Sequence, residues 1–171
     1  MSFRIGGKVV YPAHGVAYIK DIKQLEVSGV NVDFYILQVM ASGMRVMIPV
    51  SAAEDSMRHI IDAYEVDQIF GILKTPTTIA QQAWNRRFRE FSEKIGASSI
   101  LEVVEVLRDL WILKRKKELS FGEKLMFERA INLIKEEVAI SIDINQDIAE
   151  QKILQCLEAS HKHHQDIMIP E

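Results

Sequence analysis

Apolar residues fall in two different rhythms along this chain. Up to about residue 50 they come in short runs broken by turn residues. Lys8-Val9-Val10-Tyr11 stops at Pro12, and Gly15 opens Val16-Ala17-Tyr18-Ile19-Lys20-Asp21-Ile22. Ser28-Gly29 precedes Phe34-Tyr35-Ile36-Leu37-Gln38-Val39, and Ser42-Gly43 precedes Met44-Arg45-Val46-Met47-Ile48-Pro49-Val50. Four β-rich runs with regular turns predict a small antiparallel barrel or a strongly bent sheet. Tyr35, Leu37 and Val39 alternate with Ile36 and Gln38, and Arg45 and Met47 alternate with Val46 and Ile48. Each strand therefore turns one face inward and leaves the other free to meet a partner.

After Pro49 the period becomes helical. Ile60, Ile61, Tyr64, Ile69, Phe70, Ile72 and Leu73 suit one or two helices before Thr75-Pro76. Three capping boxes then mark helix starts: Thr78 with Gln81, Ser99 with Glu102, and Ser120 with Glu123. The first helix carries Trp84, Phe88 and Phe91 to Gly96. The second carries Leu101, Val104, Leu107, Leu110 and Trp111, and the third Leu125, Phe127, Ile131, Ile134 and Val138. A last amphipathic segment, about Asp147 to Ser160, puts Ile148, Ile153, Leu154 and Leu157 on one side. The expectation is an α+β chain: a β-barrel-like module over residues 1–55, an all-α domain over 56–142, and a partly helical extension over 143–171. The hinge is placed near residues 50–58.

Composition narrows this picture. A chain of 171 residues has room for one ordinary domain or two small ones. No stretch approaches the ~18–20 uninterrupted apolar residues of a membrane span. Met1-Ser2-Phe3-Arg4-Ile5-Gly6 lacks the order of a secretory signal. Cys156 is the only cysteine, so no intrachain disulfide or cysteine-based zinc cluster forms, and a reducing cytosol fits. Charge is uneven. Residues 76–140 carry 12 Lys and Arg against 10 Asp and Glu, whereas residues 141–171 carry 2 against 6. Only a local, modest affinity for DNA follows, and firm placement on DNA needs a second tether.

Candidate chemistry is sparse. The chain has no phosphate-binding glycine loop, nucleophile elbow or His-Glu-x-x-His. His161, His163 and His164 could catch a transition metal, but they read as a solvated tail. His14 reads as a turn residue, and Glu90 with Lys94 as a solvated i,i+4 pair. The chain is read as non-enzymatic. The distinctive stretch is Trp84-Asn85-Arg86-Arg87-Phe88-Arg89. Its guanidinium groups attract phosphate whatever the base sequence, and the indole can wedge against unstacked bases. The alternative is that Trp84 and Phe88, four residues apart, pack into a core while the arginines are solvated.

Several blocks together resemble the CarD/CdnL family of bacterial transcription regulators, over nearly the whole chain to about residue 142. They are Gly6-Gly7-Lys8-Val9-Val10-Tyr11-Pro12-Ala13-His14-Gly15-Val16, Met44-Arg45-Val46-Met47-Ile48-Pro49, Trp84-Asn85-Arg86-Arg87-Phe88, Val104-Glu105-Val106-Leu107-Arg108-Asp109-Leu110-Trp111 and Leu119-Ser120-Phe121-Gly122-Glu123-Lys124. The first block also occurs in the polymerase-interacting module of the transcription-repair coupling factor, whereas the Trp-x-Arg-Arg and Leu-Ser-x-Gly-Glu-Lys blocks are specific to the regulators. The Met47 block looks closer to CdnL than to actinobacterial CarD.

The resemblance implies a Tudor-like or SH3-like N-terminal module that docks on the RNA polymerase β subunit by strand pairing. It implies a helical domain that reaches promoter DNA at the upstream edge of the melted bubble, where a tryptophan, here Trp84, enters the minor groove. Arg86 and Arg89 would hold flanking phosphates, with Arg87 beside them. Met47 and Pro49 match apolar polymerase contacts, with Leu37, Arg45 and Val27 on neighbouring strands, although Met47 could instead face the core. Leu25 and Met47 stand where the actinobacterial proteins carry arginines. No cofactor, metal, membrane or small-molecule substrate is implied, and the location would be cytoplasmic, at the nucleoid through polymerase. The rival reading is a protein-only adaptor without DNA contact, and exposure of Trp84 separates the two. Trp111 is expected in the core. Lys114 to Lys117 suit either a helix C-terminus or DNA.

Overall fold

The computed structural model describes residues 2–77 and 83–167, with side chains placed as far as Ser160. Two compact units divide between Ile60 and Ile61, rather than at residue 55. In the first, β1 (Lys8–Tyr11), β2 (Gly15–Val27), β3 (Val30–Val39) and β4 (Arg45–Pro49) form an antiparallel sheet in chain order. The sheet curls into a half-barrel, the Tudor-like module expected. Curvature has a local cause, because the register of β2 against β3 shifts between Ile19 and Asp21, and such a bulge strengthens twist. Tyr35, Leu37, Val39, Ala17, Ile19 and Ile48 are buried on the concave side with Phe3. The Tyr35 hydroxyl donates to the Phe3 carbonyl at 3.1 Å, which fastens the N-terminal segment over that core.

β2 and β3 run further than their apolar runs indicated. Ser28 and Gly29 sit at φ 52° and 79°, the two-residue turn whose twist matches the strands it joins. Residues 23–33 therefore zip into a ribbon that continues past the four-stranded sheet. At the other turn His14 stacks on Tyr11, with ring centroids 4.9 Å apart, and its N–H donates to the Tyr11 carbonyl at 3.0 Å. The histidine serves the turn. A 3₁₀ turn, Val50–Ala52, and α1 (Ala53–Ser56) follow β4.

The second unit is a bundle of α2 (Ala63–Lys74), α3 (Trp84–Ile95), α4 (Ile100–Lys116), α5 (Phe121–Ser141) and α6 (Gln146–Ile167). Ser120 and Glu123 form the full reciprocal cap on α5, whereas Ser99 accepts only from the Leu101 N–H on α4. A cap absent from the sequence reading, Asp62 with Glu65, starts α2 and leaves Ile60 before the helix and Tyr64 exposed. The Thr78/Gln81 box lies outside the described residues. Ala83 is extended, so α3 begins at Trp84, later than that box implied.

Trp111 is buried in the core as expected, and α6 completes that core with Ala149, Ile153, Cys156 and Leu157. The described part of the extension up to Ser160 is thus built into the bundle, although Ile148, expected on its apolar side, is exposed. α5 also fixes the start of this unit. The Ile61 N–H donates to Glu137 Oε1 at 3.0 Å, and the Ser141 hydroxyl donates to the Ile61 carbonyl at 2.6 Å.

Candidate nucleic-acid interface and docking face

The apolar stripe of α3 is split along its length. Phe91 and Ile95 are buried with Val106, Leu110, Leu113, Leu119 and Met126. One to two turns earlier the same stripe emerges: Trp84 is 46% exposed and Phe88 38%. Their rings stack with centroids 5.1 Å apart and planes 23° from parallel. Gly122 of α5 faces them at ordinary van der Waals distance. A Cβ there would stand 3.6 Å from Phe88 and 3.7 Å from Trp84. The pair is therefore held by neighbours yet open to solvent, which removes the reading of both rings as core.

Electrostatics at this end of α3 run against ordinary helix design. No side chain caps Ala83 among the described residues, and no acidic residue occupies the first turn. Arg86 and Arg87 stand instead beside the positive end of the helix dipole, which isolated helices avoid, and Arg89 follows in the second turn. An anion relieves that conflict. Arg86 pairs with Glu90 at 3.2 Å, but its side chain is largely exposed, so this i,i+4 contact is worth roughly 0.3–0.5 kcal/mol and yields readily to phosphate. Arg89 is exposed and Arg87 half-buried. Phe121, at the first position of α5, is 78% exposed and Leu125 one turn on is also exposed. Sequence reading assigned Phe121 no role. No local signal separates it from Ile100, which also follows a Ser N-cap and is buried.

The N-terminal module presents its own apolar surface. Met47 is 47% exposed, so it does not face the core. It lies opposite Ile36, and Pro49 lies opposite Phe34. Along the ribbon Leu25 pairs with Val32 and Val27 with Val30. Alternation puts all of these on one face, while Gln24, Glu26, Asn31 and Asp33 take the other. Beyond the core, the outward side of the ribbon is thus the apolar one. Leu25, Val27 and Val30 are exposed. Arg45 flanks this surface, and β4 is an edge strand of the sheet among the described residues. Leu37 is corrected: at 0% exposure it faces the core, on the opposite side of β3 from Ile36, and offers no side chain to a partner.

No group of His, Cys, Asp or Glu that could hold a metal ion occurs among the described residues, and the side chains of His161, His163 and His164 lie outside them. No described helix is long and apolar enough to cross a membrane. Burial pushes the Cys156 thiol above its ordinary range, which favours the protonated form. Lys114, Arg115 and Lys116 close α4, where their charge suits the dipole.

A curled four-stranded module is followed by a helical bundle, and each carries exposed apolar side chains. Residues 3–61 match the family model of the CarD-like/TRCF RID domain, and residues 68–154 that of the CarD C-terminal domain. YdeB of Bacillus subtilis (strain 168), classed as a transcription factor, is 30% identical over 152 residues, covering 88% of this chain and 97% of YdeB. The solved structure of CdnLNt from Myxococcus xanthus is 41% identical, covering 36% of this chain and 87% of its own, with a TM-score of 0.31. The chain belongs to the CarD/CdnL family of transcription factors.

Proposed function

We propose that this protein binds the RNA polymerase β subunit through its N-terminal module and stabilises the open promoter complex through its helical unit. The observation that carries the DNA half is the exposed Trp84–Phe88 stack at an uncapped helix start bearing Arg86, Arg87 and Arg89. An indole inserted at the upstream edge of the bubble binds opened DNA better than closed duplex, so it shifts the equilibrium toward the open state. Arg86 and Arg89 contact the flanking phosphates, which position the wedge without reading sequence. The apolar ribbon face with Met47 and Pro49, together with the β4 edge, supplies the polymerase contact, with Arg45 and Val27 at its margin. Stabilising the open state raises output where opening limits initiation and lowers it where escape limits.

The test is the lifetime of open promoter complexes on cognate polymerase. The wild-type protein lengthens it, and Trp84→Ala abolishes the effect while polymerase binding persists. Unchanged lifetimes with both proteins, despite binding to polymerase, would replace the wedge with a protein-only adaptor.

A further inference from the structure

Burial divides the methionines among the described residues into two groups. Met57 packs in the core of the curled sheet and Met126 in that of the bundle. Met40, Met44 and Met47 are instead 37%, 38% and 47% exposed, and all three fall between the end of β3 and the middle of β4. The chain's one thiol, Cys156, is buried with the bundle core. Among the described residues, the sulfur presented to solvent is therefore thioether sulfur, gathered on one short segment.

The three positions differ in what surrounds them. Met40 and Met44 lie in the turn, outside the last cross-strand pair, Gln38 with Arg45. Met47 lies inside the ladder, opposite Ile36 and between Arg45 and Pro49 on the outward face of β4. β4 pairs only with β3 among the described residues, so Met47 stands on an edge strand. In the polymerase-docking reading this side chain is covered by the partner, whereas in the free protein it meets water.

Thioether chemistry makes that position sensitive to hydrogen peroxide. A sulfur lone pair attacks one peroxide oxygen, the O–O bond breaks, and an S–O bond forms. The departing hydroxide takes up a proton, so peroxide is reduced to water while the thioether loses two electrons and becomes the sulfoxide. A flexible apolar side chain thereby becomes a polar one. Water solvates the new oxygen in the free protein. At an apolar interface the oxygen loses that water, and an acceptor buried without a donor is costly. The change therefore penalises the docked state and spares the free fold.

We propose that Met47 is a reversible oxidation site, at which conversion of the thioether to the sulfoxide by peroxide releases the protein from polymerase. The proposal rests on the reading of the Met47 face as the polymerase contact. Met40 and Met44 take up oxidant without this effect, because they lie outside the paired strands.

The experiment treats the full chain with dilute hydrogen peroxide, maps sulfoxides by peptide mass spectrometry, and measures Kd for cognate polymerase. Met40, Met44 and Met47 are expected to oxidise well before Met57 and Met126. Binding should weaken about tenfold or more, and recover after treatment with methionine sulfoxide reductases for both epimers. Met47→Leu, a volume-conserving change, should bind as the reduced wild type does and lose nothing on oxidation. Met47→Gln, which places a polar group there permanently, should bind weakly with no oxidant present. Circular dichroism checks that each form keeps its fold. Oxidised wild type that binds as tightly as the reduced protein would overturn the proposal and leave the docking reading intact. An equal loss in oxidised Met47→Leu would also overturn it, because the sensitive group would lie elsewhere. Reduced wild type that fails to bind polymerase at all would remove the docking reading, and the proposal with it.

Discussion

Two buried side chains show how burial assigns opposite values to polar atoms. Trp111 packs in the bundle core, but its indole N–H is buried without a hydrogen-bond partner among the described residues. An unsatisfied donor carries a desolvation cost of about 1–3 kcal/mol, while the ring contributes far more by filling space. Trp111→Phe is therefore expected to leave stability unchanged or raise it, whereas Trp111→Ala should cost about 3–5 kcal/mol in urea unfolding. A large loss from the phenylalanine variant would mean that the N–H has a partner in solution. Cys156 tests burial from another direction. Desolvation raises its thiol pKa, and the opposing field of Lys74 and Lys152 is the weaker influence. A thiol reagent such as DTNB should leave it unmodified in the native protein at neutral pH and label it fully in denaturant. Rapid labelling of the folded chain would show that α6 opens away from α2 and α5.

At the level of elements, the caps decide where helices begin and which surface they free. Ser120 accepts from the Glu123 N–H at 3.3 Å, and Glu123 returns a bond to the Ser120 N–H while holding Lys117. Ser120→Ala should cost about 1 kcal/mol, read by thermal or urea unfolding. It should also loosen the start of α5 against which Trp84 and Phe88 rest. Unchanged stability would mean that Lys117 alone holds Glu123 in place. This cap was legible in sequence because Ser-x-x-Glu is a local signal, as were the four strands, whose alternation is local too. The exposure of Trp84 was not. Phe91 and Ile95 continue the same 3.6-residue stripe inward, and only the tertiary position of α3 decides which half of the stripe emerges. Leu37 was misassigned for a related reason. It neighbours true outward positions in sequence, but a strand gives adjacent residues opposite faces. The ribbon over residues 23–33 was missed because its apolar face turns away from the core that defined the strand pattern elsewhere.

For the whole molecule, charge argues that neither unit reaches promoter DNA efficiently by itself. The chain carries a net charge of −3, and the three arginines of α3 are a local exception to it. Free association with a polyanion is then weak, and loss of the tether should be correctable by mass action. In the proposed reading, docking one unit on polymerase raises the local concentration of the other at the promoter. Met47→Asp, which puts a carboxylate on the apolar sheet face, should abolish the lengthening of open-complex lifetime at limiting protein. Raising its concentration should restore the effect in part, because Trp84 and the arginines are intact. Trp84→Ala should behave in the opposite way, binding polymerase normally and gaining nothing from added protein. Lifetimes measured for both variants across a concentration series separate tether from wedge. If both were rescued by concentration, Trp84 would be strengthening the tether, and the helical unit would belong to a protein contact instead of a DNA one.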